Sequence, residues 1–299
     1  MEIPKIGYGT YLMDVEEARA GVKNALCTGY RHIDTASGYN NEIGVGAGIQ
    51  DAGVERSELF VTTKLWPGGM WGQPALTFEE VVAAGEKSLK ELDCGYIDLY
   101  LIHTPFAFTI GKSAGLDQWR GCLELKKRGV VKEIGVSNFN LQHLEAIKEA
   151  GLEMPKYNQL ELHPCCQQRP LLAYMGKNGM KAIAYSSLAP LGSWREGQES
   201  GKGRMGEERA KKVASKLEKI AGDTGMTEAQ VLLRWAIDKG YAILPKTTNV
   251  ERMKSNLSVG EKKALGKKDI ELLDGLGGGA EGTDMEDVCF AWAFGDPKA

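Results

Sequence analysis

Tyr30-Arg-His-Ile-Asp34 is a short β-type run that ends at a carboxylate, and the same arrangement recurs along the chain. Six further runs of this kind end at or lead into a polar residue: Lys64, His103, Ser137, Gln159, Tyr185 and Lys246. The stretches between the runs are long enough for one helix each. A (β/α)8 barrel brings the carboxyl ends of its strands to one face, where its chemistry takes place. The pattern therefore predicts an α/β fold, a (β/α)8 TIM barrel, with these residues in one site.

Local signals mark the helices between the runs. Capping boxes at Asp14, Thr77 and Thr227 and a capping asparagine at Asn249 predict four helix starts. The first strand is expected over residues 6–11, and residues 104–114 are expected to form a loop. Extra helices are predicted late in the chain, after the seventh strand.

The composition indicates one enzyme-sized domain over residues 1–299, because 42% apolar residues can form a large core. A net charge of −3 and a pI of about 5.9 argue against nucleic-acid or anionic-membrane partners. No apolar run is long enough to span a membrane, and the N-terminus lacks a signal-peptide pattern. The six cysteines have no framework spacing, so we expect free thiols and a cytoplasmic location. A monomer or weak dimer is expected.

Several motifs carry a family resemblance. They include Gly29-Tyr-Arg-His-Ile-Asp-Thr-Ala-Ser-Gly-Tyr39-Asn-Asn-Glu42, Gly135-Val-Ser-Asn-Phe139 and Ile243-Leu-Pro-Lys246-Thr-Thr-Asn-Val-Glu-Arg252. From about Ile3 to Asn256 the chain resembles the aldo-keto reductase family, in order and with family-like spacing. The resemblance implies NADPH-dependent reduction of aldehydes or ketones to alcohols, by hydride transfer from the nicotinamide and without a metal.

The resemblance also implies a catalytic tetrad of Asp34, Tyr39, Lys64 and His103. A carbonyl oxygen that becomes negative must receive a proton, and Tyr39 would be the general acid. The Lys64 ammonium would favour the phenolate and lower the pKa of Tyr39, and Asp34 would keep Lys64 charged. His103 would donate a hydrogen bond that orients the substrate oxygen.

The cofactor residues follow from the same resemblance. Ser137, Asn138 and Gln159 match the residues that hold the nicotinamide carboxamide, and Tyr185 matches the aromatic ring that stacks on it. Lys246 and Arg252 could match an adenosine 2′-phosphate at a helix N-terminus, which favours NADP(H). The remaining positions carried over as cofactor-binding are Ser186, Leu188, Thr247, Thr248 and Asn256.

The expected substrate is a small-molecule carbonyl compound, held by Tyr11, Trp66, Thr104 and Trp292. Thr104 follows the catalytic histidine where many members have tryptophan, and Tyr11 replaces a common tryptophan. Residues 192–207 are Gly/Ser-rich and charged, and we expect a mobile lid over the cofactor. The tail, residues 277–299, is expected to close the substrate pocket. The hairpin that usually covers the barrel bottom is at most partial here.

Two other functions remain open at this point. The chain could be an NADP(H)-binding regulatory subunit, similar to potassium-channel β-subunits, or a metal-independent barrel isomerase or lyase. Gly277-Gly-Gly-Ala-Glu-Gly282 matches a dinucleotide-binding expression but follows a helix and opens none. Cys165 and Cys166 beside His163 lack a second pair at metal-ligand spacing, so packing is favoured. His32 is expected to be structural, and Trp194 could either clamp the cofactor or pack.

Overall fold

The strands of the protein form a closed parallel barrel. The structure is a computed structural model that describes residues 2–69, 72–191 and 207–277. Eight strands pair in chain order, each parallel to the next. The first and last strands meet through a parallel bridge between Ile6 and Ile243, and Gly7 N donates to Ile243 O at 2.8 Å. The predicted (β/α)8 barrel is confirmed.

The elements lie close to their predicted positions. The strands are β1 (Tyr8–Gly9), β2 (His32–Asp34), β3 (Phe60–Leu65), β4 (Ile97–Ile102), β5 (Val131–Ser137), β6 (Tyr157–Glu161), β7 (Lys181–Tyr185) and β8 (Ala242–Ile243). The α-helices in the described ranges are α1 (Val15–Thr28), α2 (Glu42–Ala52), α3 (Phe78–Leu92), α4 (Phe106–Ile110), α5 (Lys112–Lys127), α6 (Leu141–Glu149), α7 (Arg169–Lys177), α8 (Glu207–Thr224), α9 (Glu228–Asp238), α10 (Val250–Leu257) and α11 (Lys267–Asp274).

Four helix starts confirm the capping signals. Asp14, Thr77 and Thr227 form complete capping boxes, and the Asn249 side chain accepts from Arg252 N.

Two expectations about secondary structure were wrong. Residues 104–114 contain the short helix α4 instead of a continuous loop, and β1 is shorter than its apolar run. In α4 the Phe106 ring packs on Trp66, 6.3 Å between centroids, a contact that no local pattern in the sequence indicates.

Alternation along the strands places apolar and polar groups at opposite ends of the barrel interior. Every second side chain of a strand faces the same way, so Phe60 and Lys64 point inward together, as do Leu99 and Leu101. Inward apolar residues of the strands, together with Ile3 and Leu244 next to them, form one buried cluster: Ile3, Phe60, Leu99, Leu101, Tyr157, Ile183, Ala242 and Leu244. Ile3 therefore packs against the bottom of the barrel. The inward residues at the carboxyl ends are the polar ones.

The second part of the core lies between the barrel and its helices, and α2 is packed especially closely. A Cβ at Gly44 would lie 2.1 Å from Val15 O, and a Cβ at Gly46 would lie 2.2 Å from Leu92 O. The two glycines thus let the backbones of α1 and α3 approach α2, which follows the catalytic tyrosine of the predicted tetrad. Among the described residues, no helix is long and apolar enough to cross a membrane.

We expect Gly46→Ala to lower the free energy of unfolding by roughly 1–3 kcal/mol, because the added methyl meets backbone that cannot rotate away. Gly222→Ala in α8 is the matched control, since a Cβ there has no heavy atom within 4 Å. The control should gain up to about 1 kcal/mol from helix propensity. Urea denaturation measures both variants, and equal stabilities would contradict the close approach of α2 and α3.

Candidate active site

A buried ion pair lies at the carboxyl end of β2 and β3. Lys64 Nζ is 2.5 Å from Asp34 Oδ1 and 2.7 Å from the Thr35 carbonyl oxygen, and it is 3.5 Å from Tyr39 Oη. Lys64 is 0% exposed and Asp34 4%. Tyr39 reaches the pair from a 3-10 helix, Ser37–Tyr39, directly after β2. The structure thus brings three members of the predicted tetrad together.

Burial dominates the protonation of these groups. It raises the pKa of Asp34 and lowers the pKa of Lys64, while the ion pair opposes both changes. The hydrogen bond that Gln159 donates to Asp34 opposes the rise in the pKa of Asp34. Desolvation raises the pKa of the Tyr39 phenol well above 10, and the negative charge of Asp34 adds to it. The expectation that Lys64 sets a lowered pKa at Tyr39 is therefore wrong for the resting site. Tyr39 keeps its proton, as a proton donor must.

His103 completes the tetrad from the end of β4. Its backbone N donates to Leu65 O at 3.0 Å, which continues the strand pairing to this residue. Its ring is 5.6 Å from the Tyr39 ring and 5.7 Å from the Trp66 ring. Burial, with a smaller contribution from Lys64, lowers the pKa of His103 to about 3. The imidazole is therefore neutral at neutral pH, with one N–H to donate and one nitrogen to accept.

Aromatic side chains surround this polar corner. The Tyr11 ring is 5.0 Å from the Tyr39 ring and tilted by 56°. Trp66 lies on the other side, against His103 and Phe106. Thr104 is fully buried beside His103, and Trp292 lies outside the described residues. Tyr11 and Trp66 thus flank the tetrad as the sequence predicts.

The predicted carboxamide-binding residues are bonded to the tetrad. Gln159 Nε2 donates to Asp34 Oδ2 at 2.8 Å, and Asn138 Nδ2 donates to the His103 carbonyl oxygen at 2.9 Å. Ser137 Oγ donates to the Gln159 carbonyl oxygen, and Tyr185 Oη donates to Asn138 Oδ1 at 2.7 Å. Because Gln159 donates its amide N–H to Asp34, its Oε1 remains an acceptor that fits a carboxamide NH₂. The sequence did not indicate these bonds.

Two predicted cofactor-binding residues have unusual backbone conformations. Asn138 has φ +63° and Ser186 has φ +53°, values that residues other than glycine rarely adopt. Leu188 follows within the same turn, where Ala189 N donates to the Ser186 carbonyl oxygen. Such conformations cost free energy and are often found at ligand sites. The positive φ values of Asn138 and Ser186 therefore agree with a ligand site at this point of the barrel mouth.

A positively charged corner lies after β8. Lys246 and Arg252 are exposed, while Thr247 between them is buried. Asn249 caps α10 and so fixes the start of its free N–H groups, which with the helix dipole favour an anion. Thr248 is exposed beside them, and Asn256 is buried one turn after Arg252 in α10. The residues present therefore fit a phosphate group.

Asn41 lies in the Gly29–Glu42 motif and has no role among the predicted site residues. Its Nδ2 donates to the carbonyl oxygens of Thr10 and Met13, and its Oδ1 accepts from Thr35 Oγ1 at 2.8 Å. These bonds hold the loop that carries Tyr11 against the segment that carries Tyr39. The signal available in the sequence was an asparagine two residues after Tyr39, the predicted general acid.

The other sequence signals are resolved in part. Cys166 is disulfide-bonded, so the expectation of free thiols at all cysteines is wrong at this position. His32 is buried and hydrogen-bonded to Thr62, as a structural residue would be. In the described ranges, no group of three or more His, Cys, Asp or Glu residues could hold a metal ion. Residues 192–206 of the predicted lid, which include Trp194, lie outside the described residues. The predicted tail and the Gly277–Gly282 run also lie outside them beyond residue 277.

Comparisons with known proteins agree with this geometry. The model of the aldo/keto reductase family matches residues 5–277. The chain is 35% identical over 257 residues to methylglyoxal reductase DkgA of Escherichia coli, covering 86% of this chain and 84% of that protein. It is 36% identical over 277 residues to a glyoxal reductase of Bacillus subtilis, covering 92% and 90%.

A solved structure of a Bombyx mori aldo-keto reductase in complex with NADP superimposes with a TM-score of 0.78 at 32% identity, covering 92% of this chain and 89% of that one. An aldo/keto reductase from Brucella melitensis gives 0.76 at 37% identity, covering 92% and 95%.

The ring of His103 should stay neutral between pH 8 and pH 5, because burial lowers its pKa to about 3. NMR titration of the histidine ring signals measures this, with the His103 signal assigned by its loss in His103→Asn. A titration midpoint of about 6.5, the value of an exposed histidine, would contradict the neutral imidazole.

Proposed function

The chain belongs to the aldo/keto reductase family and is an NADPH-dependent carbonyl reductase, and from this premise we propose that small 2-oxoaldehydes are among its substrates and that Tyr39 is the proton donor. The observation that carries the mechanism is the buried Lys64–Asp34 pair with Lys64 Nζ 3.5 Å from Tyr39 Oη. The substrate class is supported by relatives named methylglyoxal reductase and glyoxal reductase.

The substrate carbonyl oxygen would lie between Tyr39 and His103, whose rings are 5.6 Å apart. NADPH, when bound, supplies a hydride to the carbonyl carbon, and the carbonyl oxygen becomes negative. The neutral His103 donates a hydrogen bond to that oxygen and orients it, and Tyr39 gives up its hydroxyl proton to it. One hydride and one proton convert the carbonyl to the alcohol.

Lys64 and Asp34 act on the phenolate that remains. In a site from which water is excluded, an unpaired phenolate would be strongly unfavourable. The Lys64 ammonium lies close enough to stabilise it as it forms. Burial lowers the pKa of Lys64, and the charge of Asp34 opposes that change and so favours the ammonium. Transfer therefore moves negative charge toward a fixed cation, an arrangement that favours the transition state over the resting state.

Binding of NADPH would use both sides of the mouth. Ser137, Asn138 and Gln159 would hold the carboxamide and Tyr185 would stack on the nicotinamide ring. Lys246, Thr247, Thr248 and Arg252 would bind the 2′-phosphate, where Arg252 can offer a planar fork of N–H groups. In this proposal the nicotinamide end of NADPH lies over the barrel and the 2′-phosphate end lies at α10.

The regulatory-subunit alternative has no support from the comparisons, because the named relatives are reductases. An isomerase or lyase would leave the assembled tetrad without a common task. A monomeric state and a cytoplasmic location remain part of the proposal.

Purified protein should oxidise NADPH when methylglyoxal or glyoxal is added, measured as kcat/KM from the loss of absorbance at the nicotinamide band. Propanal is the matched control, since it has the carbon skeleton of methylglyoxal without the second carbonyl that makes the aldehyde carbon more electrophilic. The 2-oxoaldehyde should be the better substrate. Turnover of propanal with none of methylglyoxal would refute the substrate class and leave the reductase assignment intact.

Tyr39→Phe should lower kcat by at least about 10²–10⁴-fold, the usual contribution of a general acid. The Kd of NADPH should change little, because the hydroxyl gives its proton only to the substrate oxygen. Fluorescence titration of NADPH tests the second point and shows that the variant is folded. A variant that keeps a tenth of the wild-type kcat would remove Tyr39 from the role of acid.

A further inference from the structure

Tyr8 is a buried tyrosine whose hydroxyl binds Thr247 in the positively charged corner after β8, the proposed phosphate site. It lies in β1 and is 0% exposed. Its Oη donates to the Thr247 carbonyl oxygen at 2.8 Å, across 239 residues of sequence. Burial raises the pKa of Tyr8 far above its usual value, so the hydroxyl keeps its proton and stays a donor at any working pH. None of the chemistry described above uses this residue.

Thr247 passes this constraint on to Arg252. The Thr247 hydroxyl accepts from Arg252 Nε at 3.0 Å and from Asn249 N at 3.2 Å. Arg252 N in turn donates to the Asn249 side chain. Because Arg252 Nε donates to Thr247, the guanidinium is held at this nitrogen. Its two terminal nitrogens remain available to bind an anion. The orientation of the charged fork therefore depends on where Thr247 is held.

The neighbouring layer is built around the Tyr8 hydroxyl. A Cβ at Gly21 in α1 would lie 2.5 Å from Tyr8 Oη, so only glycine leaves room for this hydroxyl. Tyr30 contacts Tyr8 edge to face, with 5.7 Å between centroids, and donates to the Met253 carbonyl oxygen at 3.0 Å. Two buried phenols, one in β1 and one just before β2, thus bind Thr247 ahead of α10 and Met253 in its first turn.

We propose that Tyr8 is a positioning residue for recognition of the 2′-phosphate of NADPH, acting on Arg252 through Thr247. The inference rests on the proposed phosphate site. Its physical basis is that a buried carbonyl without its donor has to find a new partner, so Thr247 would shift if the hydroxyl were removed. A loosened Thr247 would leave Arg252 free to adopt several orientations. Recognition of the 2′-phosphate should suffer, and the nicotinamide end should not.

Tyr8→Phe removes only the hydroxyl and is the primary test. Isothermal titration with adenosine 2′,5′-bisphosphate should give a Kd about three- to tenfold weaker than wild type, the scale of one net hydrogen bond. NADPH should weaken by the same factor, and NADH should stay within about twofold, the expectation for a ligand without the 2′-phosphate. A general loss of stability would weaken both dinucleotides alike, so the NADPH-to-NADH ratio separates positioning from folding.

Tyr100→Phe is the matched control, since Tyr100 is also fully buried in a strand but its hydroxyl makes no hydrogen bond to Thr247 or Arg252. It should leave both dinucleotides unchanged. Arg252→Ala tests the underlying phosphate site and should weaken NADPH by about 10- to 100-fold, the scale of a hydrogen bond to a charged group. If Arg252→Ala has no effect, the phosphate assignment fails. If Arg252→Ala weakens NADPH but Tyr8→Phe does not, the Tyr8 inference fails alone.

Gly21→Ala approaches the same contact from the other side. In the wild-type background its methyl group should push the Tyr8 hydroxyl off Thr247 and lower the NADPH-to-NADH affinity ratio, as Tyr8→Phe does. In the Tyr8→Phe background the obstructing oxygen is gone, so adding Gly21→Ala should produce no further loss. Equal losses from Gly21→Ala in both backgrounds would overturn the role of the hydroxyl.

Discussion

The buried Lys64–Asp34 pair is the interaction on which the rest of the site depends. Two charges almost without solvent exposure are tolerated only when each is compensated, because desolvation of an unpaired ion costs several kcal/mol. Asp34 is compensated by Lys64 on one oxygen and Gln159 on the other, and Lys64 also by the Thr35 carbonyl oxygen. Removing any one of these partners would leave a buried charge or a buried polar group uncompensated.

This requirement joins the predicted catalytic and cofactor-binding groups into one network. Gln159 comes from β6 and reaches Asp34 on β2, across the mouth of the barrel. Asn138 similarly holds the carbonyl oxygen of His103. The residues proposed to bind the carboxamide therefore also support the tetrad, so their side chains have a structural function before any ligand arrives. The positively charged corner after β8 is also held by hydrogen bonds, from Tyr8 in β1 to Thr247 and from Tyr30 just before β2 to Met253.

Much of the site was predictable because strand geometry is regular. Inward side chains alternate along each strand, and parallel strands end at one face, so residues such as Lys64, Gln159 and Tyr185 had to converge once the barrel was recognised. Capping residues are equally local, which is why the starts of α1, α3 and α9 could be read directly. The helix α4 could not, because Phe106 is held by contact with Trp66 and not by a signal of its own.

The sequence by itself determined the barrel, the order of its elements and the residue types at its mouth, since these follow from short-range patterns repeated along the chain. Only the tertiary structure decided how those residues are charged and oriented. Burial keeps Tyr39 protonated and His103 neutral, whereas the sequence suggested a phenol with a lowered pKa. The hydroxyl of Tyr8 meets Thr247 across 239 residues. Desolvation and long-range hydrogen bonds depend on the packing of distant segments, and no local pattern encodes them.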